Sequence, residues 1–325
     1  MKRKSLLFVW SYVFILSTIF ISCKDTDNSV FGDDFDFPAL TDANTIRFTV
    51  NVTGDWRQLN IVADGGRMVI DWGNGRMQKV EDPSSMAGGV TYRYGNKGSY
   101  NVRIWAEELQ LIDISGLLIS ISDLHLGNMP GMKSLVLNSI TDTRELNLNT
   151  FCPNVESIKI GSFADLEHVE VEHCNHPEVE ELYCSYNGFP SFSLKGLPKL
   201  RSVDLGYNSA LASLELDENN GINVLLISGC AFQSVDDVLE CCPSLNELSC
   251  SGNRLTELDL TKHLSIRELH CDHNRLTRLL VPEGQYFGHL YCHSNQLGEA
   301  ALKTLFVSLG QVPKPTPECP GPPQC

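Results

Sequence analysis

The chain has 325 residues, of which 42% are apolar and 20% charged, and its formal net charge is −15. That is apolar enough for a substantial core and inconsistent with a largely disordered chain. The surplus of negative charge repels phosphate backbones and argues against nucleic acid as a partner.

The first residues read as an export signal. Lys2, Arg3 and Lys4 precede an almost unbroken apolar run from Leu6 to Ile21, closed by Ser22 and Cys23. This layout predicts a secretory signal peptide over 1–22. A transmembrane anchor is the other reading, but about 16 apolar residues are short for one. Ser22-Cys23 resembles a bacterial lipobox, with Phe20 where leucine is usual. The resemblance implies that Cys23 is acylated and becomes the new N-terminus; an ordinary signal peptide followed by a chance cysteine is the alternative. Lys24-Asp25-Thr26-Asp27 is similar to the acidic sorting signal of surface lipoproteins in Bacteroides-like bacteria. That implies an outer-membrane lipoprotein facing the cell exterior and held to the membrane by its lipid alone. Loss of Lys2, Arg3 and Lys4 with the signal takes the formal charge from −15 to −18. Residues 23–43 are acidic and unpatterned and read as a lipidated tether. Their Asp33-Asp34-Phe35-Asp36 lacks the spacing and glycine of a calcium loop.

Over 44–108 the apolar period becomes two. Ile46, Phe48 and Val50 alternate with polar residues, as do Leu59 and Ile61, then Val90, Tyr92 and Tyr94, then Tyr100, Val102 and Ile104. With the short apolar run Met68–Ile70 they make five expected strands. Asn74-Gly75 reads as a hairpin turn, and Asn96 to Gly98 as another. Ile70-Asp71-Trp72-Gly73-Asn74-Gly75, followed by Tyr92-Arg93-Tyr94 and Gly98-Ser-Tyr100-Asn-Val102, resembles the core of a PKD-like (polycystic-kidney-disease-type) β-sandwich. In that family these residues are structural, so the resemblance implies a small β-module and no chemistry.

From 109 to 297 the chain repeats itself. Val179-Glu-Glu-Leu182-Tyr-Cys184-Ser-Tyr-Asn187 returns in register at 200, 245, 266 and 287, with weaker copies at 109, 132, 155 and 222. Start-to-start spacings run 23, 23, 24, 21, 22, 23, 21 and 21 residues, which makes nine turns. The L-x-x-L-x-L-x-x-N/C pattern resembles leucine-rich repeats, and its style is similar to the repeat proteins of Bacteroides-like bacteria. Positions one, four and six should point inward and stack on the next turn. The Asn at position nine (Asn187, Asn208, Asn253, Asn274, Asn295) should satisfy buried backbone groups where the chain leaves the strand. Cys230 fills that slot in one turn, and Leu117, Ile140 and Phe163 in the first three. A second apolar triplet, as in Leu255/Leu258/Leu260 and Leu276/Leu279/Val281, suggests an extended convex side without long helices.

A solenoid's end turns need covers. The β-module can cover the first. At 298–312 Leu302, Leu305, Phe306 and Leu309 share one helical face, with Gly310 and Pro313 as stops, so this helix is the expected C-terminal cap. Residues 313–325 form a proline-rich tail. The expected fold is therefore mainly β: a leucine-rich-repeat solenoid preceded by a β-sandwich-like module and closed by a helix.

The cysteines invite disulfide or metal readings, but Cys184, Cys250, Cys271 and Cys292 occupy inward position six, where cysteine acts as a small hydrophobe. No C-x-x-C pair exists, and no metal or cofactor is expected. A Cys250–Cys271 bridge is geometrically allowed, and Cys319 with Cys325 could pair. Catalytic motifs such as G-x-S-x-G and H-E-x-x-H are absent, so no enzymatic activity is expected.

The outward positions of the strands form the concave face that repeat proteins present to ligands. There Tyr183, Tyr186, Asp204 and Tyr207 gather on two neighbouring turns. Glu268, His270 and Asp272 face His289, Tyr291 and His293 on another two. These residues are the candidate site for a protein or peptide, with a glycan as the alternative ligand. For the second group a metal site, or a hydrolase using Glu268, His270 and His289, is the remaining reading, outweighed by a solvated, mutually hydrogen-bonded patch, since an open face neither excludes water nor shifts pKa values as such a site must.

Overall fold

The computed structural model describes residues 44–54, 57–86, 88–117, 119–127, 129–138, 145–148, 154–161, 166–170, 178–218 and 220–311. The expected signal peptide, Cys23, the tether, Ile140, Phe163 and the tail with Cys319 and Cys325 lie outside these residues, as does the side chain of Leu117.

The N-terminal part holds β1 (Thr45–Val52), β2 (Arg57–Asp64), β3 (Met68–Asp71), β4 (Met77–Val80), β5 (Val90–Tyr94), β6 (Gly98–Ala106), β7 (Leu111–Leu117) and β8 (Ser120–His125). Their alternation buries Ile46, Phe48 and Val50 of β1 with Val102 and Ile104 of β6, its antiparallel neighbour. One sheet runs β4-β3-β6-β1-β8, and a second begins β5-β2-β7. The Asn74-Gly75 turn joins β3 to β4 with Asp71 opposite Met77. Gly73 in that turn has φ +76°, and a Cβ there would sit 2.7 Å from the Asn101 backbone, so a side chain is excluded twice over. Trp72 is buried beneath Tyr92, whose ring stacks on it at 4.6 Å.

Two expectations for this region need correction. Among the described residues six strands rather than five lie between 45 and 106; Met77-Gln-Lys-Val80 has no clean alternation to signal β4. Asn96 to Gly98 is not a hairpin turn. It carries the chain from β5 in one sheet to β6 in the other, because β5 pairs with β2 while β6 pairs with β1 and β3.

The repeat turns follow in regular order. β9 (Ser134–Asn138) is followed by β10 (Glu145–Asn147), β11 (Ser157–Gly161) by β12 (His168–Glu170), β13 (Glu181–Tyr183) by β14 (Ser191–Ser193), and β15 (Ser202–Asp204) by β16 (Ser213–Glu215). Then β17 (Val224–Leu226) is followed by the short helix α1 (Asp236–Cys241), β18 (Glu247–Ser249) by β19 (Glu257–Asp259), and β20 (Glu268–His270) by β21 (Arg278–Leu280). β22 (His289–Tyr291) and α2 (Glu299–Ser308) end the series. Among the described residues nine strands, β7 to β22 by way of β9, β11, β13, β15, β17, β18 and β20, pair in parallel with no shift of register. The second triplets make narrow convex ladders, β10-β12, β14-β16 and β19-β21. This is a mainly β, leucine-rich-repeat-type solenoid.

The module does not cover the first turn as a lid would. β7 pairs antiparallel with β2 on one side and parallel with β9 on the other, so a single sheet of 11 strands crosses from module to solenoid. β8, which follows β7 within the same first turn, pairs back onto β1. A division at 108 therefore cuts a shared sheet, and one buried core runs from Ile46 to Leu305. At the far end α2 packs against β21 and buries Leu305, but Phe306 remains 43% exposed and Leu290 and Cys292 of the last turn only half-buried. The helix stops at Gly310 (φ +67°): Gln311 N–H donates to the Phe306 carbonyl and Gly310 N–H to that of Val307.

Candidate functional site

The backbone at the strand exits positions the site. In the turns that start at 179, 200, 245, 266 and 287 the position-nine Asn amide donates to two carbonyls at position six, its own and that of the preceding turn. Asn208 Nδ2 reaches Cys184 O and Leu205 O, both at 2.9 Å, and Asn274 Nδ2 reaches Cys250 O at 2.9 Å and Cys271 O at 3.2 Å. The amide oxygen accepts a backbone N–H of the previous turn, as Asn274 does from Leu255 and Asn295 from Leu276. Asn208 is fully buried, so these bonds replace solvent for groups no strand partner reaches. Cys230 makes a reduced version, its thiol donating to Leu205 O at 3.3 Å.

Just before this slot, position eight is left-handed in six consecutive turns: Tyr186, Tyr207, Gly229, Gly252, His273 and Ser294, with φ between 53° and 68°. Glycine adopts this conformation freely; a bulky side chain is strained there. Two of the six residues are tyrosines. Their rings stack at 4.6 Å with 7° between planes, and they are 58% and 56% exposed. Tyr207 lies over Gly229, where a Cβ would come within 2.8 Å of its ring, so the glycine makes room for the stack.

The structure divides the first expected cluster. Tyr186 and Tyr207 form a pair on the rim. Tyr183 is on the sheet itself, half-buried, with the Lys159 ammonium 4.9 Å from its ring centre and its hydroxyl 3.1 Å from Ser202 Oγ. Asp204 accepts the N–H of Gly206 at 2.9 Å, which ties its carboxylate into the local turn.

The second cluster does come together. His270 stacks on Tyr291 at 4.7 Å, and His289 Nδ1 lies 3.6 Å from Glu268 Oε1. Asp272 accepts from Ser251 Oγ at 2.6 Å and sits 2.6 Å from His273 Nδ1 and 3.9 Å from His293 Nε2. Partial burial pushes its carboxyl upward, but the hydrogen bonds from Ser251 and His273 outweigh this and hold it below the ordinary carboxylate value. The sequence expectation set Asp272 opposite His293 and left His273 out of the cluster. The 21-residue period that stacks Asp272 on His293 was the available signal.

The thiols at position six are buried in Cys184, Cys250 and Cys271 and half-buried in Cys292, and all seven described cysteines are free. Burial raises the Cys250 thiol to about 12, beyond any role as a thiolate at neutral pH. Three surface depressions among the described residues, of about 510, 550 and 230 Å³, are lined by none of the candidate residues.

Parallel strands one per turn, inward leucines and an asparagine ladder define a leucine-rich-repeat-type solenoid, with an exposed aromatic pair on its rim. Among solved structures, the chain is similar to the functional domain of InlJ from Listeria monocytogenes, described as including a cysteine ladder. Identity is 20% over 55% of this chain and 43% of that one, with a TM-score of 0.42. The chain thus spans less than half the length of that neighbour. No family model and no curated protein matches the chain.

Proposed function

We propose that this chain is an exported surface lipoprotein without enzymatic activity, which binds a protein or peptide along the concave sheet and its rim. Cys23 is the lipid attachment point. The Tyr186–Tyr207 pair is the centre of the contact, flanked by Tyr183 and Asp204, with Glu268, His270, Asp272 and Tyr291 further along. One observation carries this reading: two large rings are kept exposed at left-handed positions where the next two turns use glycine. Such backbone costs about 1–3 kcal/mol per residue, and strain of this kind gathers where a protein meets ligands. Tyrosine is also enriched among the residues that dominate binding energy.

The stack favours a protein or peptide over a glycan. Sugars bind to open ring faces, and here one face of each ring is covered by the other. In the Glu268, His270 and His289 group two side chains are half-buried and the third exposed, and the group lines none of those depressions, which disfavours a hydrolase.

The test is a screen of the mature chain against peptide, protein and glycan arrays, repeated with Tyr186→Gly/Tyr207→Gly. Glycine relieves the left-handed strain and removes only stacking worth about 0.5–1.5 kcal/mol, so the thermal midpoint should hold or rise. Affinity for the peptide or protein hit should fall at least about tenfold, the equivalent of 1.4 kcal/mol. Unchanged affinity, or a tyrosine-dependent glycan hit, overturns the reading. Membrane release of Cys23→Ala tests the anchor separately.

A further inference from the structure

The last two turns gather three side chains, Asp272, His273 and His293, of which the proposed partner contact uses only Asp272. We propose that Asp272, His273 and His293 form a binding site for one divalent transition-metal ion of the zinc class, with a coordination position left open to water. The inference does not rest on the role given to the tyrosines.

Periodicity brings the ligands together. Asp272 and His293 both stand at position seven, one turn apart, and His273 follows Asp272 at position eight. One ligand atom from each lies within 4.8 Å of the other two. Zinc bonds of about 2.0–2.2 Å in tetrahedral geometry require donors roughly 3.3 Å apart. The observed 2.6 Å and 3.9 Å from Asp272 Oδ2 bracket that value. Both imidazole side chains are 61% exposed and free to make the small rotations needed, while Asp272 is only 17% exposed and held in place.

The surroundings are those of a prepared site. Ser251 donates to Asp272 Oδ1 at 2.6 Å, which fixes the carboxylate plane and leaves Oδ2 facing the two imidazoles. The backbone under the ligands is pinned as well. His273 N–H donates to His293 O at 3.1 Å, Gly252 N–H to Asp272 O at 3.0 Å, and Asn274 and Asn295 hold the carbonyls on either side. His273 has φ +54° in the column where the two preceding turns carry glycine, so its imidazole is kept at the rim against backbone strain. Two imidazoles and one carboxylate suit zinc, nickel or copper; calcium and magnesium prefer an all-oxygen set.

The experiment is calorimetric titration of the untagged chain with Zn²⁺, backed by the visible absorption of bound Co²⁺. One ion per chain is expected. His293→Ala, His273→Ala and Asp272→Asn should each weaken binding at least tenfold, and Ser251→Ala by a smaller factor. All four changes lie at exposed or half-buried rim positions, so the unfolding curve of the metal-free protein should stay near that of the wild type and verify folding. His289→Ala and Cys292→Ser should leave the titration unchanged. Absence of stoichiometric binding, unchanged affinity in His293→Ala, or loss transferred to His289→Ala or Cys292→Ser overturns the assignment.

Discussion

The early and late turns of the solenoid obey one repeat but leave their strands differently. From β13 onward every concave strand is three residues long, position eight is left-handed, and position nine is Asn or, once, Cys230. In the turns that start at 109, 132 and 155 the ninth residue is Leu117, Ile140 or Phe163, and β7, β9 and β11 run seven, five and five residues. The extra ladder rungs, Ile160 with Leu137 and Gly161 with Asn138, satisfy backbone groups that an asparagine amide serves later. Gly116, at position eight of the first turn, belongs to β7 and has no left-handed φ. Whether the chain leaves the sheet after three residues or stays in it therefore goes with position nine, Asn or Cys in the first case and an apolar hydrocarbon side chain in the second. Among the described residues the left-handed rim appears only where it leaves, and the candidate site stands on that rim.

The sharpest way to break this contrast is Asn274→Ala. It leaves the buried N–H of Leu255 without its acceptor and removes one of two amide donors from the carbonyls of Cys250 and Cys271, which keep those of Asn253 and Asn295, and should destabilise the protein by about 1–3 kcal/mol. Thermal or denaturant unfolding measures it; a change within error would mean that the ladder does not hold the late turns.

A smaller effect sharpens the left-handed column. Gly252→Ala meets no atom closer than 3.5 Å, so any loss reports φ alone, +67°. A loss of about 1 kcal/mol is expected in the same unfolding measurement. Gly116→Ala is no control for φ, since its Cβ would come within 2.4 Å of Ile119.

The smallest effect belongs to the early turns. Asp113, at position five of the first, has a buried Oδ1 without a partner, and burial raises its carboxyl above the ordinary aspartate value despite a hydrogen bond from Ser115. A raised folded-state pKa favours folding below the unfolded-state value, and that contribution is lost as pH rises through the folded-state value. Asp113→Asn should therefore be more stable than wild type at neutral pH, with the gain vanishing below the usual carboxylate range. A gain that persists in acid would place its cause elsewhere than in the charge.

Much of this architecture was readable in the chain. Inward positions one, four and six, the asparagine slot, the convex triplets and the helix near 300 follow from periodicity, because a solenoid places each repeat position in one recurring environment. Local pattern failed where pairing is non-local. Asn96–Gly98 looks like a hairpin turn, yet β5 and β6 belong to different sheets, and only the packed sandwich decides which edges meet. Phe306 shares a helical face with Leu305, but its burial depends on where α2 docks.

The candidate site divides along the same line. Which residues point outward, and which stack at 21-residue intervals, was set by sequence alone, since a repeat in register carries that geometry with it. Tertiary structure decided the rest. It turned position eight left-handed, which set Tyr186 and Tyr207 ring on ring and separated them from Tyr183 on the sheet. It also brought His273 to Asp272 and His293. Spacing specifies which turn a residue occupies; backbone handedness at the strand exit, imposed by hydrogen bonds from the neighbouring turns, specifies where its side chain goes.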